Sequence, residues 1–191
     1  MKHKFYIILL SFIISSCSFL HSSVPYSSLK QCNSFVIYKI SSKMYNHRLV
    51  IKSFDYWNKI LQKEFFIFGG IIDDEEYTKN IINHQDNNYI FVYMDYIKDS
   101  KLEYCGKTFY TEYNFSSCIN EISIVLKSQC FVERSLSFES VMRHEIGHTL
   151  GFKNSFDDSN DIMYYTVDRM WWQLPKEISE KEKIVLKEKY P

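Results

Sequence analysis

The sequence predicts a single α+β domain, built as a strand, a helix, several strands and then two further helices. Three observations carry that reading. Within residues 46–63, Val50, Phe54, Trp57 and Leu61 recur at spacings of three and four, the one-sided apolar stripe of a core-facing helix. Residues 89–97 are apolar nearly throughout, the pattern of a central strand covered on both faces. Residues 144–148 read His-Glu-Ile-Gly-His, which on a helix puts His144 and His148 one turn apart on the same face. A chain of 191 residues is long enough to bury a core of this kind unaided.

The N-terminus reads as an export signal and not as part of the fold. Lys2 and Lys4 precede an apolar run, residues 5–14, interrupted only by Ser11. That run is too short to span a bilayer and has the length of a signal-peptide apolar region. Ile14-Ser15-Ser16-Cys17 then looks like a bacterial lipobox, which implies cleavage before Cys17 and lipid on its thiol. The alternative is a plain secretory signal. The expected layout is a signal peptide over 1–16, a lipidated Cys17 and Ser-rich tether over 17–33, and the domain over 34–191. Lipid at Cys17 tethers the protein to a membrane without spanning it. The expected location is a bacterial cell envelope, periplasmic or surface-facing, or alternatively the exterior.

Formal net charge is zero, so nothing points to nucleic acid. The 15 Tyr and 15 Phe are read as a packed core and β-rich surface. Beyond Cys17 there remain Cys32, Cys105, Cys118 and Cys130, an even set without C-x-x-C spacing. In an oxidising compartment these suggest two disulfides, with three connectivities open, and not a cysteine metal site.

Taken in order, residues 34–40 are β-branched and aromatic, a first strand. The helix of 46–63 follows, then a short strand at 65–68 closed by Gly69-Gly70. Residues 73–88 open on Asp73-Asp74-Glu75-Glu76, which can cap a helix or bind calcium; a solvated loop or helix start is favoured. After the strand of 89–97 come candidate strands at 107–113 and 121–126, parted by a break at 114–120. Ser135 or Ser137 starts the helix that carries the His pair. The last helix, 178–190, has Ser179 as N-cap with Glu182 three residues on, a capping box.

The pair of His in H-E-x-x-H can hold one zinc ion, with Glu145 placed to act on a metal-bound water. Gly151 lies three residues past His148 and is able to end the helix with φ > 0. Asp161-Ile162-Met163-Tyr164-Tyr165 follows. Together these resemble the metzincin zinc peptidases, H-E-x-x-H-x-x-G-x-x-H followed by a Met-turn, and the short spacing to Met163 looks most like the matrixin-type members. The resemblance extends more weakly over 34–191, through the helix of Phe54 and Trp57, the strand of 121–126 and the closing helix. It implies a zincin-type α+β domain: a twisted mixed β-sheet, an active-site helix, a Met-turn and a C-terminal helix. It also implies Zn2+ as cofactor, His144 and His148 as ligands, Glu145 as general base and Met163 as an apolar floor.

One position departs from the pattern. Asn154 stands where the family has its third His. An amide oxygen is a weaker zinc ligand than imidazole or carboxylate. Three ways of completing the site are open: Asn154 itself, Asp157 or Asp158 in its place, or help from Tyr165, at a position where some metzincins carry a zinc-binding tyrosine. The expected function is an exported zinc endopeptidase, monomeric, acting on a peptide or protein and tethered to a membrane by its lipid. The competing readings are a metzincin-like binding or adhesion module that has lost activity with its third His, and an envelope protein with an incidental motif.

Overall fold

The computed structural model describes residues 31–73, 89–97, 102–112, 118–155, 158–165, 173 and 176–191. The expected leader, Cys17, residues 74–88 of the acidic stretch and Asp157 lie outside the described residues. The elements are β1 (Val36–Ser41), α1 (His47–Leu61), β2 (Phe66–Ile72), β3 (Tyr89–Asp95), β4 (Gly106–Glu112), β5 (Ile119–Lys127), α2 (Ser128–Val132), α3 (Phe138–Thr149) and α4 (Glu180–Lys189).

The strands form one mixed sheet in the order β2-β1-β3-β5-β4. β1 runs parallel to β2 and β3, and β3 parallel to β5. β4 alone is antiparallel, paired with β5. The apolar run of β3 therefore sits at the middle of the sheet, with Ile90, Phe91, Val92 and Met94 buried. This is an α+β fold with the sheet and helices that the sequence predicts.

The stripe of α1 is the one read from its spacing: Val50, Phe54, Trp57 and Leu61 are buried, joined by Ser53. Phe54 stacks on Tyr38 of β1 with ring centroids 3.9 Å apart. Trp57 Nε1 donates to the Arg143 carbonyl at 2.9 Å, fixing α1 against α3. Asn58 then shapes the exit from α1. Its Oδ1 accepts from Phe65 N and Phe66 N at 3.1 and 2.8 Å, and its Nδ2 donates to Phe66 O at 2.9 Å.

Several boundaries differ from expectation. β2 does not stop at Gly69-Gly70 but runs through it to Ile72. The pairing of β1 with β2 shifts register between Tyr38 and Ile40, opposite these glycines. A Cβ on Gly69 would stand 2.4 Å from Ile37 Cγ2, and Gly70 has φ +106. The glycines thus build a bulge inside the strand, not a turn after it. The short helix α2 stands between β5 and α3, where a direct strand-to-helix connection was expected. α3 starts from Ser137 and not Ser135, with Ser137 Oγ accepting from Ser140 N at 3.3 Å.

The C-terminal helix keeps its capping box. Glu182 N donates to Ser179 Oγ at 3.3 Å, and Ser179 N donates to Glu182 Oε2 at 3.1 Å. Tyr190 closes the domain behind it: its hydroxyl donates to Leu150 O at 3.1 Å and accepts from Gln31 N at 3.1 Å. All four remaining cysteines are paired, Cys32 with Cys118 and Cys105 with Cys130.

Two predictions follow from this architecture. Peptide mapping without reductant is expected to recover those two pairs, and reduction is expected to lower stability by roughly 3.5 kcal/mol for Cys105–Cys130 and roughly 4.5 kcal/mol for the longer Cys32–Cys118 loop on a loop-entropy account. Glu182 is buried beside Asp161, and burial, then the hydrogen bond and charge of Asp161, raise its carboxyl to about 8 from 4.5. The protonated form contributes stability that is complete below 4.5 and lost as pH rises through about 8. Glu182→Gln keeps the capping box and is expected to flatten that decline in a series of melting curves across this range. Parent and variant curves falling in parallel would count against the shared proton.

Candidate active site on the third helix

α3 is buried along most of its length, including Met142, Arg143, His144, Glu145 and Ile146. Its rear is held by charge. Arg143 pairs with Glu139 at 2.5 Å and with Glu177 at 2.9 Å, and lies 3.9 Å over the Tyr56 ring. The other side of the helix lines a cleft of about 790 Å³, into which His144, Glu145, His148, Asn154 and Tyr165 are all brought.

The two imidazoles are oriented by backbone carbonyls. His144 Nδ1 lies 2.8 Å from Ile162 O, and His148 Nδ1 lies 2.8 Å from Phe152 O. A carbonyl only accepts, so each Nδ1 carries a proton and donates it. Burial, and after it the neighbouring His148, lower His144 to about 4, so its ring is neutral at ordinary pH. Nε2 of His144 is then a lone pair. The rings are perpendicular, with centroids 4.7 Å apart. An Nδ1–H donated to a carbonyl is the arrangement that orients a metal-binding histidine.

The turn after α3 delivers Asn154. Gly151 has φ +94. Gly151 N donates to His148 O at 3.0 Å and Phe152 N to Gly147 O at 3.2 Å, the paired bonds of a Schellman motif. Gly151 therefore ends the helix as its position predicted. Three residues on, Asn154 Oδ1 stands 3.1 Å from His144 Nε2. Two acceptors face each other at that distance. Either the amide turns to donate, or a cation draws both lone pairs. The residues present thus fit a zinc ion through His144, His148 and the Asn154 oxygen.

The other sequence candidates are placed differently. Asp158 is exposed, and its Oδ1 accepts from Asn160 N at 2.8 Å within a surface turn. Among the described residues no group of three His, Cys, Asp or Glu is close enough to hold a metal. Asp158 thus stands in a surface turn and is not among the residues that line the cleft with the His pair. Tyr165 is 53% exposed and borders the cleft, with its ring centroid 4.8 Å from that of Tyr164.

Met163 is fully buried beneath α3. A Cβ on Gly147 would stand 2.3 Å from Met163 Sδ, so only glycine lets the two elements meet. The turn around Met163 is tied at several points: Met163 N donates to Asp161 Oδ1 at 2.9 Å, Ser155 N to Met163 O at 2.6 Å, and Ile162 N to Glu177 O at 2.9 Å.

Glu145 is buried, and burial raises its carboxyl above the ordinary range, with His148 and Thr108 opposing. Thr108 of β4 donates to Glu145 O at 2.9 Å and to Glu145 Oε2 at 2.7 Å. A Cβ on Gly106 would stand 2.7 Å from Glu145 Cγ, so β4 needs glycine there to approach. Sequence reasoning missed Thr108, Gly106, and the carbonyls of Phe152 and Ile162. Backbone carbonyls carry no residue signature, and a threonine in an edge strand looks like any other.

A search of curated proteins gives no match. The sequence model of the matrixin family matches residues 37–184, from β1 into α4. A mixed sheet, an H-E-x-x-H helix closed by a glycine turn and a methionine seated under that helix agree with the match. On these grounds the chain belongs to the matrixin family, whose members are zinc-dependent metallopeptidases.

Proposed function

We propose that this chain is an exported zinc endopeptidase, tethered to a membrane by lipid on Cys17, that acts as a monomer on peptide or protein substrates. One observation carries the reading. Both histidines have Nδ1 committed to a carbonyl, and the amide oxygen of Asn154 lies 3.1 Å from Nε2 of His144. His144, His148 and Asn154 would then hold the metal. When bound, zinc polarises the scissile carbonyl and lowers the pKa of its water.

The remaining chemistry belongs to the side chains. Glu145 takes a proton from the attacking water and delivers it to the nitrogen of the leaving amine. Burial raises its carboxyl above the ordinary range, which favours its holding the proton between the two steps. β4, at the edge of the sheet beside the cleft, orients the substrate. Met163 keeps the floor under the His pair dry and rigid.

The alternative is a binding module in which the neutral amide of Asn154 has ended catalysis. The burial of Glu145 argues against it. Holding a carboxyl out of water is costly, and a surface that only binds gains nothing from it.

Zinc analysis and peptide cleavage test this together. The purified domain is expected to hold one zinc per chain and to lose it in His148→Ala. Glu145→Gln is expected to keep zinc and to lower kcat by roughly 10²–10⁴-fold. Asn154→His is expected to tighten zinc binding and Asn154→Ala to weaken it. A zinc-loaded parent no faster than Glu145→Gln on a peptide library rules out the enzyme. For the anchor, Cys17→Ser is expected to move the protein from the membrane fraction to the soluble one; unchanged partition would remove lipid at Cys17 from the account.

A further inference from the structure

We propose that Thr108 is the positioning residue of the general base: its hydroxyl occupies Glu145 Oε2 and so leaves Oε1 as the oxygen that carries the proton. The inference rests on the peptidase reading above and names how its base is set.

A threonine hydroxyl has one proton to give. Here it faces two acceptors of the same residue, the backbone oxygen of Glu145 at 2.9 Å and Oε2 at 2.7 Å. The one proton is shared between them, with the shorter contact to Oε2, so the Thr108 oxygen sits between the carboxylate and the peptide oxygen of Glu145. Threonine is stiff at χ1, and β4 is held by pairing with β5, so the donor is itself fixed. Gly106 lies two residues earlier and on the same face of β4. A Cβ there would stand 2.8 Å from Oε1, so glycine keeps the space beside that oxygen clear. The Thr108 hydroxyl bonds Oε2 and not Oε1, and Glu145 lines the cleft.

The consequence for the reaction is specific. As the attacking water forms its bond to the carbonyl carbon, one O–H of that water breaks and the proton goes to Oε1. The resulting acid gives the proton to the amide nitrogen as the C–N bond breaks, which restores the carboxylate. Oε2 is an acceptor in both states. Thr108 therefore donates throughout, and the hydroxyl need not turn during the cycle. A group already in place at the moment of reaction adds no reorganisation cost.

The test uses the zinc-loaded chain with Thr108→Val, Thr108→Ser and Thr108→Ala. Thr108→Val is expected to lower kcat by roughly ten- to a hundredfold, the effect of losing a hydrogen bond to a charged group, with KM and zinc content unchanged. Thr108→Ser is expected to recover most of that loss, which a purely packing role would not give. Thr108→Ala repeats the comparison without the valine methyl facing the carboxylate. In infrared spectra, the carboxylate band identified by its loss in Glu145→Gln is expected to shift in Thr108→Val. Parent-like kcat in the valine and alanine variants, a serine variant no better than valine, or an unshifted band would each overturn the inference. A zinc-loaded parent that cleaves nothing overturns the peptidase reading instead, and the infrared band then decides the Thr108–Glu145 bond alone.

Discussion

The hydrogen bond from His144 Nδ1 to the carbonyl of Ile162 is the constraint on which the site depends. It joins a helix to a turn eighteen residues later and sets which nitrogen faces the cleft. The carbonyl is presented to His144 by a turn tied at several points. Ile162 N is held by Glu177 O, and the next residue, Met163, is buried against the one helical position that has no side chain. Gly147 and Met163 thus fix the distance at which Ile162 can reach His144. The methionine contributes shape, and the backbone beside it contributes the polar contact.

The electrostatics of α3 are divided between its two sides. Behind it, Arg143 is matched by Glu139 and Glu177, and Lys52 pairs with Glu139 at 3.0 Å. Charges there have partners and fix the helix in rotation about its axis. Facing the cleft, His144 and Glu145 are buried and His148 is half-buried. Burial favours the neutral form of His144 and of Glu145. Burial thus acts in one sense on the imidazole and on the carboxyl beside it, holding each toward its uncharged form.

How far the sequence reveals this depends on the range of the forces involved. The stripe of α1, the apolar β3 and the capping box of α4 are written in neighbouring residues, and each was legible. So was Gly151, because a helix end needs a residue that tolerates φ > 0. Gly69-Gly70 misled, since the same residue type serves a turn and a bulge, and only pairing with β1 separates them. The helix α2 is a single short turn with no period to detect. Asp158 looked as able as Asn154 to reach a metal; its exposure follows from a turn that only folding creates. Thr108 acts across 37 residues of sequence, at a distance no local pattern reports.

The disulfide between Cys32 and Cys118 has a mechanical side. Cys32 lies just before β1, and Cys118 just before β5. A pull on the chain ahead of Cys32 is therefore shared at once between two strands that flank β3 on opposite sides. β1 cannot be peeled away from its first residue while the bridge is intact, because the load passes into β5 as well. The sheet must then yield by shearing two strands together, a mode that resists force far better than unzipping one.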